Sequence, residues 1–166
     1  MRTKMILVAV ATLLAAAEAH SVDRELAFQQ NGAGACQAAL PAYEGLIRKR
    51  PMAIQNEGVS TAFVTCAPVT LQGVSTSFGH GLYMVNNTAS EVTVNCTGVQ
   101  GARNGVADVS VPKSVVLDAG SNGSIYWEVD DGLDVNNGDS FNMSCGIPAG
   151  VGITTVYTNQ LLDVGS

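Results

Sequence analysis

From residue 59 onward the chain is a succession of short runs rich in Val, Thr, Ile, Tyr and Phe, each closed by Gly, Asn, Asp or Pro. No run keeps a helical period for three turns, so the hydrophobic pattern leaves little room for anything but strands. Residues 91–96 show this most plainly. Val92, Val94 and Cys96 fall on one side of an extended chain and Glu91, Thr93 and Asn95 on the other, the period-two signature of a half-buried strand. Residues 106–111 repeat it, with Val109 and Val111 opposed to Asp108 and Ser110, and Pro112 is read as the end of that strand. Runs at 59–66, 69–78, 81–85, 114–117, 124–129, 140–145 and 152–157 complete the series. The linkers 118–123 and 130–139 are rich in Gly, Asn and Asp, which tolerate the left-handed backbone of hairpin loops. Turn signals at this spacing predict an all-β fold, an antiparallel β-sandwich of about eight strands.

The N-terminal part differs. Arg2 and Lys4 precede a stretch, residues 5–17, that is apolar apart from Thr12, and Ala17-Glu18-Ala19 forms a small-x-small cleavage motif. This is the layout of a secretory signal peptide over residues 1–19. The stretch is too short for a membrane span, which takes about 20 residues. No cysteine stands at the expected cut, so a lipid anchor is not expected there, and the product is read as secreted or periplasmic. Residues 20–35 are weakly patterned and are read as an N-terminal arm in which 24–30 make a single helical turn. The sandwich domain is then 36–166, with 36–46 either a first strand pinned by a disulfide or an irregular crossing.

Compartment and cysteines belong together. Cys36, Cys66, Cys96 and Cys145 are an even set with no C-x-x-C spacing, which in an exported chain reads as two disulfides. Four cysteines permit three connectivities. The pairing Cys36–Cys66 with Cys96–Cys145 is preferred because each bridge then joins consecutive cysteines and closes one loop.

Charge excludes one class of partner. With 8 basic and 14 acidic side chains the net charge is −6, and loss of Arg2, Lys4 and Glu18 with the leader makes it one unit more negative. Phosphate-backbone binding needs clustered Lys and Arg, so no nucleic-acid partner is expected. The basic run Arg48-Lys49-Arg50 stops at Pro51 and is read as a solvated loop.

Catalytic signals are scarce. There is no G-x-S-x-G elbow, P-loop, G-x-G-x-x-G or H-E-x-x-H, so neither an enzyme nor a bound cofactor is expected. Gly79-His80-Gly81 is read as a tight turn rather than as the site of a catalytic base. Two metal arrangements are considered. Cleavage after Ala19 would leave His20 with a free α-amine, and its two nitrogens with the imidazole of His80 would suit Cu(II); the plainer reading of His20 is a frayed terminus. Asp130, Asp134, Asn136 and Asp139 offer the oxygen ligands calcium takes. Counted from Asp134, however, Gly138 and Asp139 break the EF-hand spacing, and a solvated hairpin turn is the simpler reading. Asn86, Asn95, Asn122 and Asn142 open N-x-[ST] triplets and are read as polar strand and loop positions. Tyr126 and Trp127 are adjacent, so in a strand they face opposite ways. The outward one can stack on a sugar or pack at an interface.

A pattern runs across the cysteines: Cys36 before Tyr43 and Gly45; Val64-Thr65-Cys66-Ala67-Pro68; Val94-Asn95-Cys96-Thr97; and Ser144-Cys145-Gly146-Ile147-Pro148 before Ile153 and Tyr157. Over residues 36–157 the chain resembles a loose group of small exported β-sandwich proteins from Gram-negative bacteria, with Cys66-Ala67-Pro68 departing from the direct Cys-Pro step of that group. The group has no established activity, so the resemblance implies a fold and a compartment and assigns no functional residue. The expected role is non-enzymatic binding or structural work outside the cytoplasm, with a protein or glycan partner at the cell surface. A copper-binding or oxidative protein using His20 and His80 is the alternative. The third reading is a pilus-like or coat subunit that donates its arm as a strand to a neighbour.

Overall fold

The alternation of residues 91–96 becomes burial in space: Val94 and Cys96 are buried while Thr93 and Asn95 are exposed. The computed structural model describes residues 23–70, 75–101, 107–133 and 140–163. Among them are eleven strands: β1 (Asp23–Asn31), β2 (Cys36–Ala38), β3 (Ile47–Arg50), β4 (Ala53–Asn56), β5 (Ala62–Cys66), β6 (Ser75–Asn86), β7 (Val92–Gly101), β8 (Ala107–Leu117), β9 (Asn122–Trp127), β10 (Ser140–Ile147) and β11 (Val151–Asp163). Two single-turn helices, α1 (Gly32–Ala35) and α2 (Pro41–Glu44), flank β2.

All pairings are antiparallel. One sheet runs β2-β5-β10-β7-β8 and the other β3-β4-β11-β6-β9, with β1 also paired to β11. The edge of β11 facing β4 is thus shared: β4 takes its first residues, Gly152 and Ile153, and β1 takes Thr155 to Asp163. A bulge lies in the β11–β6 pairing between Ile153 and Thr155, where the partner changes. The inner faces meet over a core that includes Ile54, Leu82, Trp127, Met143 and Ile153, all at most 1% exposed. Trp127 bridges the sheets, donating from Nε1 to the Val111 carbonyl at 2.9 Å.

The cysteines pair as Cys36–Cys66 and Cys96–Cys145. Both bridges lie within the five-stranded sheet, each joining residues directly opposite in the ladder, β2 to β5 and β7 to β10. All four cysteines are buried.

Two corners between the sheets rest on buried asparagines. Asn56 ends β4 and donates from Nδ2 to the Ser60 and Ile147 carbonyls, while its Oδ1 accepts from the Gly58 N–H. Asn86 ends β6 in the same manner, donating to the carbonyls of Ser90, Leu117 and Asp118 and accepting from Thr88. Buried carbonyls left without a donor cost stability. Asn86→Ala is therefore expected to lower unfolding free energy by roughly 2 kcal/mol in urea denaturation, with the native circular dichroism retained. A loss below experimental error would show that the corner does not depend on this amide.

Several expectations are corrected. Residues 24–30 are strand β1 and not a helical turn: Leu26 and Phe28 are half-buried between exposed Glu25, Ala27 and Gln29, and every residue of β1 has a partner on β11. Within the arm 20–35 considered for donation to a neighbour, residues 23–31 are thus paired with β11 of their own chain. Gly79-His80-Gly81 is not a turn but the middle of β6, which joins residues 75–78 of the run 69–78 to the run 81–85; glycines flanking His80 removed the side-chain alternation that marks a strand. Pro112 does not end a strand either. β8 runs through it, pairing Pro112 with Thr97, because β8 is an edge strand whose outer side needs no N–H. Arg48, Lys49 and Arg50 are exposed as read, but they form edge strand β3 and not a loop. Long solvated basic side chains on an edge discourage sheet-to-sheet association. Cys36 does begin a short strand pinned by its disulfide.

Candidate functional site

Tyr126 and Trp127 separate as their adjacency requires. Trp127 is fully buried, and Tyr126 emerges on the outer face of the six-stranded sheet. Register then assembles what no single run contains. Gly81 of β6 lies opposite both Tyr126 of β9 and Tyr157 of β11, and Tyr157 lies opposite Gln29 of β1. In the next outward row Tyr83 stands between Ser124 and Thr155. Cross-strand partners share a face, so Tyr83, Tyr126 and Tyr157 cluster on one surface. The Tyr126 ring stands 5.7 Å from Tyr83 at 87° and 6.4 Å from Tyr157 at 85°. Tyr83 is 40% exposed and the other two are half-buried.

Gly81 makes this arrangement possible. A Cβ built on it would fall 2.5 Å and 2.6 Å from Cδ1 and Cε1 of Tyr126, so the ring occupies the space a side chain would take. Burial, together with the neighbouring Tyr83 hydroxyl, pushes the Tyr126 phenol above its ordinary range. The hydroxyl therefore stays protonated and able to donate at any physiological pH.

His80 lies on the opposite, inner face of β6. It is 0% exposed, stacks flat on Phe141 at 4.0 Å and 5°, and places Nδ1 3.3 Å from Thr158 Oγ1. Burial lowers its pKa to about 3, which makes it a neutral ring and a poor proton acceptor at neutral pH. His20 lies outside the described residues, as do the leader and the calcium candidates Asp134, Asn136 and Asp139. Asp130 is exposed in a short turn, Val129–Asp131. The neighbouring Asp131 is engaged: it accepts from Lys113 Nζ at 2.7 Å and from the Glu128 N–H at 2.8 Å, and the Lys113 bond holds its carboxyl below the usual range. Among the described residues no three His, Cys, Asp or Glu side chains come together as a metal site, and no helix is long and apolar enough to cross a membrane. Of the N-x-[ST] asparagines, Asn86 is buried, Asn142 half-buried, and Asn95 and Asn122 exposed.

No protein-family model and no curated protein matches the chain. Among solved structures, it is similar to the xylan-binding module CBM15, at 11% identity over 82% of this chain and 97% of that one, with a TM-score of 0.47. A similar likeness is to the CBM22-2 xylan-binding domain of Paenibacillus barcinonensis Xyn10C, at 11% identity over 81% and 96%, TM-score 0.45. A structure of infectious bursal disease virus aligns at 9% identity over 87% of this chain and 34% of that one, TM-score 0.49.

Tyr83 and Tyr157 are the site residues that sequence reading missed. Their only signal is local, a tyrosine between inward residues in Leu82-Tyr83-Met84 and in Val156-Tyr157-Thr158. Gly81→Ala is expected to lift the Tyr126 ring and disrupt the cluster while leaving the core intact. Near-ultraviolet circular dichroism of the tyrosines should change with little shift in thermal midpoint; an unchanged tyrosine signal would mean the ring does not rest on Gly81.

Proposed function

We propose that this protein is an exported, non-enzymatic carbohydrate-binding module that attaches to a glycan through the outer face of its six-stranded sheet. The observation that carries the proposal is the cluster of Tyr83, Tyr126 and Tyr157 on one solvent-facing surface. A solvated sheet face has no packing need for three aromatic rings. Tyrosine combines an apolar ring, which stacks on the C–H face of a sugar, with a hydroxyl that hydrogen-bonds its rim. The surrounding Ser124, Gln29 and Thr155 supply further donors and acceptors, and the two disulfides suit a setting outside the cytoplasm.

Affinity electrophoresis through gels carrying neutral polysaccharides tests this. The wild-type protein should be retarded on at least one polymer, and Tyr126→Ala should lose most of that retardation, roughly tenfold or more in affinity. Equal mobility of wild type and variant on every retarding polymer would overturn the assignment of the site.

A further inference from the structure

Beside the tyrosines, where β11 passes from β4 to β1, a cavity of about 310 Å³ opens, lined by Gln29, Gln30, Asn31, Met52, Thr154 and Thr155. The bulge in β11 builds it. Thr154 is the extra residue, turned so that its hydroxyl donates to the Tyr83 carbonyl at 3.1 Å. Gln29 belongs both to the cavity and to the row Tyr126, Gly81, Tyr157, Gln29, so the aromatic surface leads straight into it. This row crosses four strands, about 14 Å at the usual strand spacing. That is longer than one sugar ring needs.

The lining also sets a charge preference. Every side chain of the cavity and of the tyrosine rows is neutral. Among the described side chains, Glu25, bonded to Asn159, and Glu128, beside Gly79, are carboxylates facing the same side. Of the basic side chains of β3, Arg48 donates to the Glu44 and Ile47 carbonyls, Arg50 pairs with Glu57, and Lys49 lies opposite inward-facing Ile54, on the other side of the sheet. A polyanion would meet these carboxylates here. Met52, 74% exposed at the cavity wall, offers a further apolar contact of the kind a sugar face accepts.

Building on the carbohydrate reading, we infer that the tyrosine cluster and this cavity are successive subsites of one groove, and that its ligand is a neutral, extended oligosaccharide lying across the strands. Gln29 and Met52 hold the rings beyond Tyr157, and the tyrosines hold the rest. Polyuronates and sulfated glycans are rejected by Glu25 and Glu128.

Isothermal titration with cello-, xylo-, manno- and malto-oligosaccharides of increasing length, and with polygalacturonate as the acidic probe, tests the inference. One neutral series should bind with affinity that rises about tenfold from dimer to tetramer and then levels off. Met52→Ala should lose most of that gain while keeping the dimer's affinity, whereas Tyr126→Ala should lose both. Preference for polygalacturonate, or a length dependence untouched by Met52→Ala, would overturn the groove and leave the tyrosine site standing. Binding to none of the probes, neutral or acidic, would overturn both.

Discussion

Replacing Cys96 and Cys145 together by Ala is expected to lower the unfolding free energy by about 4 kcal/mol, the loop-entropy value for a bridge spanning 49 residues. The bridge spanning 30 residues, Cys36–Cys66, should cost roughly half a kcal/mol less on the same basis. The two losses should also differ in kind. Cys96 and Cys145 join β7 and β10, both internal to their sheet, so their loss weakens the whole cooperative unit. Cys36 lies on β2, a three-residue edge strand whose described pairing is to β5 alone, and cutting that bridge should let β2 and its flanking turns open locally before the rest. Alanine suits both sites because the cysteines are buried and a serine hydroxyl would lack partners. Urea unfolding gives the free energies, and amide exchange in β2 against β7 gives the difference in kind. A loss under about 1 kcal/mol for the Cys96, Cys145 pair would contradict the entropic account. Equal exchange in β2 and β7 of the Cys36, Cys66 variant would contradict the local one.

Acid should unfold this protein through His80. The ring is buried and held near pKa 3 in the folded state, against an ordinary value near 6.5 once unfolded. Because the folded value is depressed, the unfolded chain takes up the proton first. Stability is therefore full above pH 6.5 and declines as pH falls towards 3, at up to about 1.4 kcal/mol per pH unit. Between pH 7 and pH 4 the loss attributable to this group is roughly 3 kcal/mol. His80→Phe keeps an aromatic ring against Phe141 and cannot titrate. Whatever its stability at pH 7, the variant should lose correspondingly less on acidification, since the carboxylates that also titrate are common to both proteins. Parallel stability–pH curves would show that His80 is not a buried neutral ring.

The same histidine shows where sequence reading stops. Its glycine neighbours resemble turn residues because glycine lends itself to turns, yet here Gly81 is needed as empty space beneath Tyr126 in the middle of a long strand. Pro112 misled in a similar way: whether a proline ends a strand depends on whether the strand has a neighbour on that side, which is a property of the sheet. β1 carried a legible signal in Leu26 and Phe28, but alternation over so few residues is weak beside the ambiguity of Ala, Glu and Gln.

By itself the sequence determined what local periodicity and covalent chemistry can decide: an all-β chain, the inward and outward sides of residues 91–96, the opposed faces of Tyr126 and Trp127, and consecutive disulfide pairing as the simplest loop closure. Those properties depend on residues next to one another or on the order of four cysteines. Tertiary structure alone decided the site. Tyr83, Tyr126 and Tyr157 are far apart in the chain and meet only because β6 pairs with β9 on one side and β11 on the other. The cavity beside them exists only because β11 shares one edge between β1 and β4. Strand order and register are set by the packing of the whole core, and no local run of side chains encodes them.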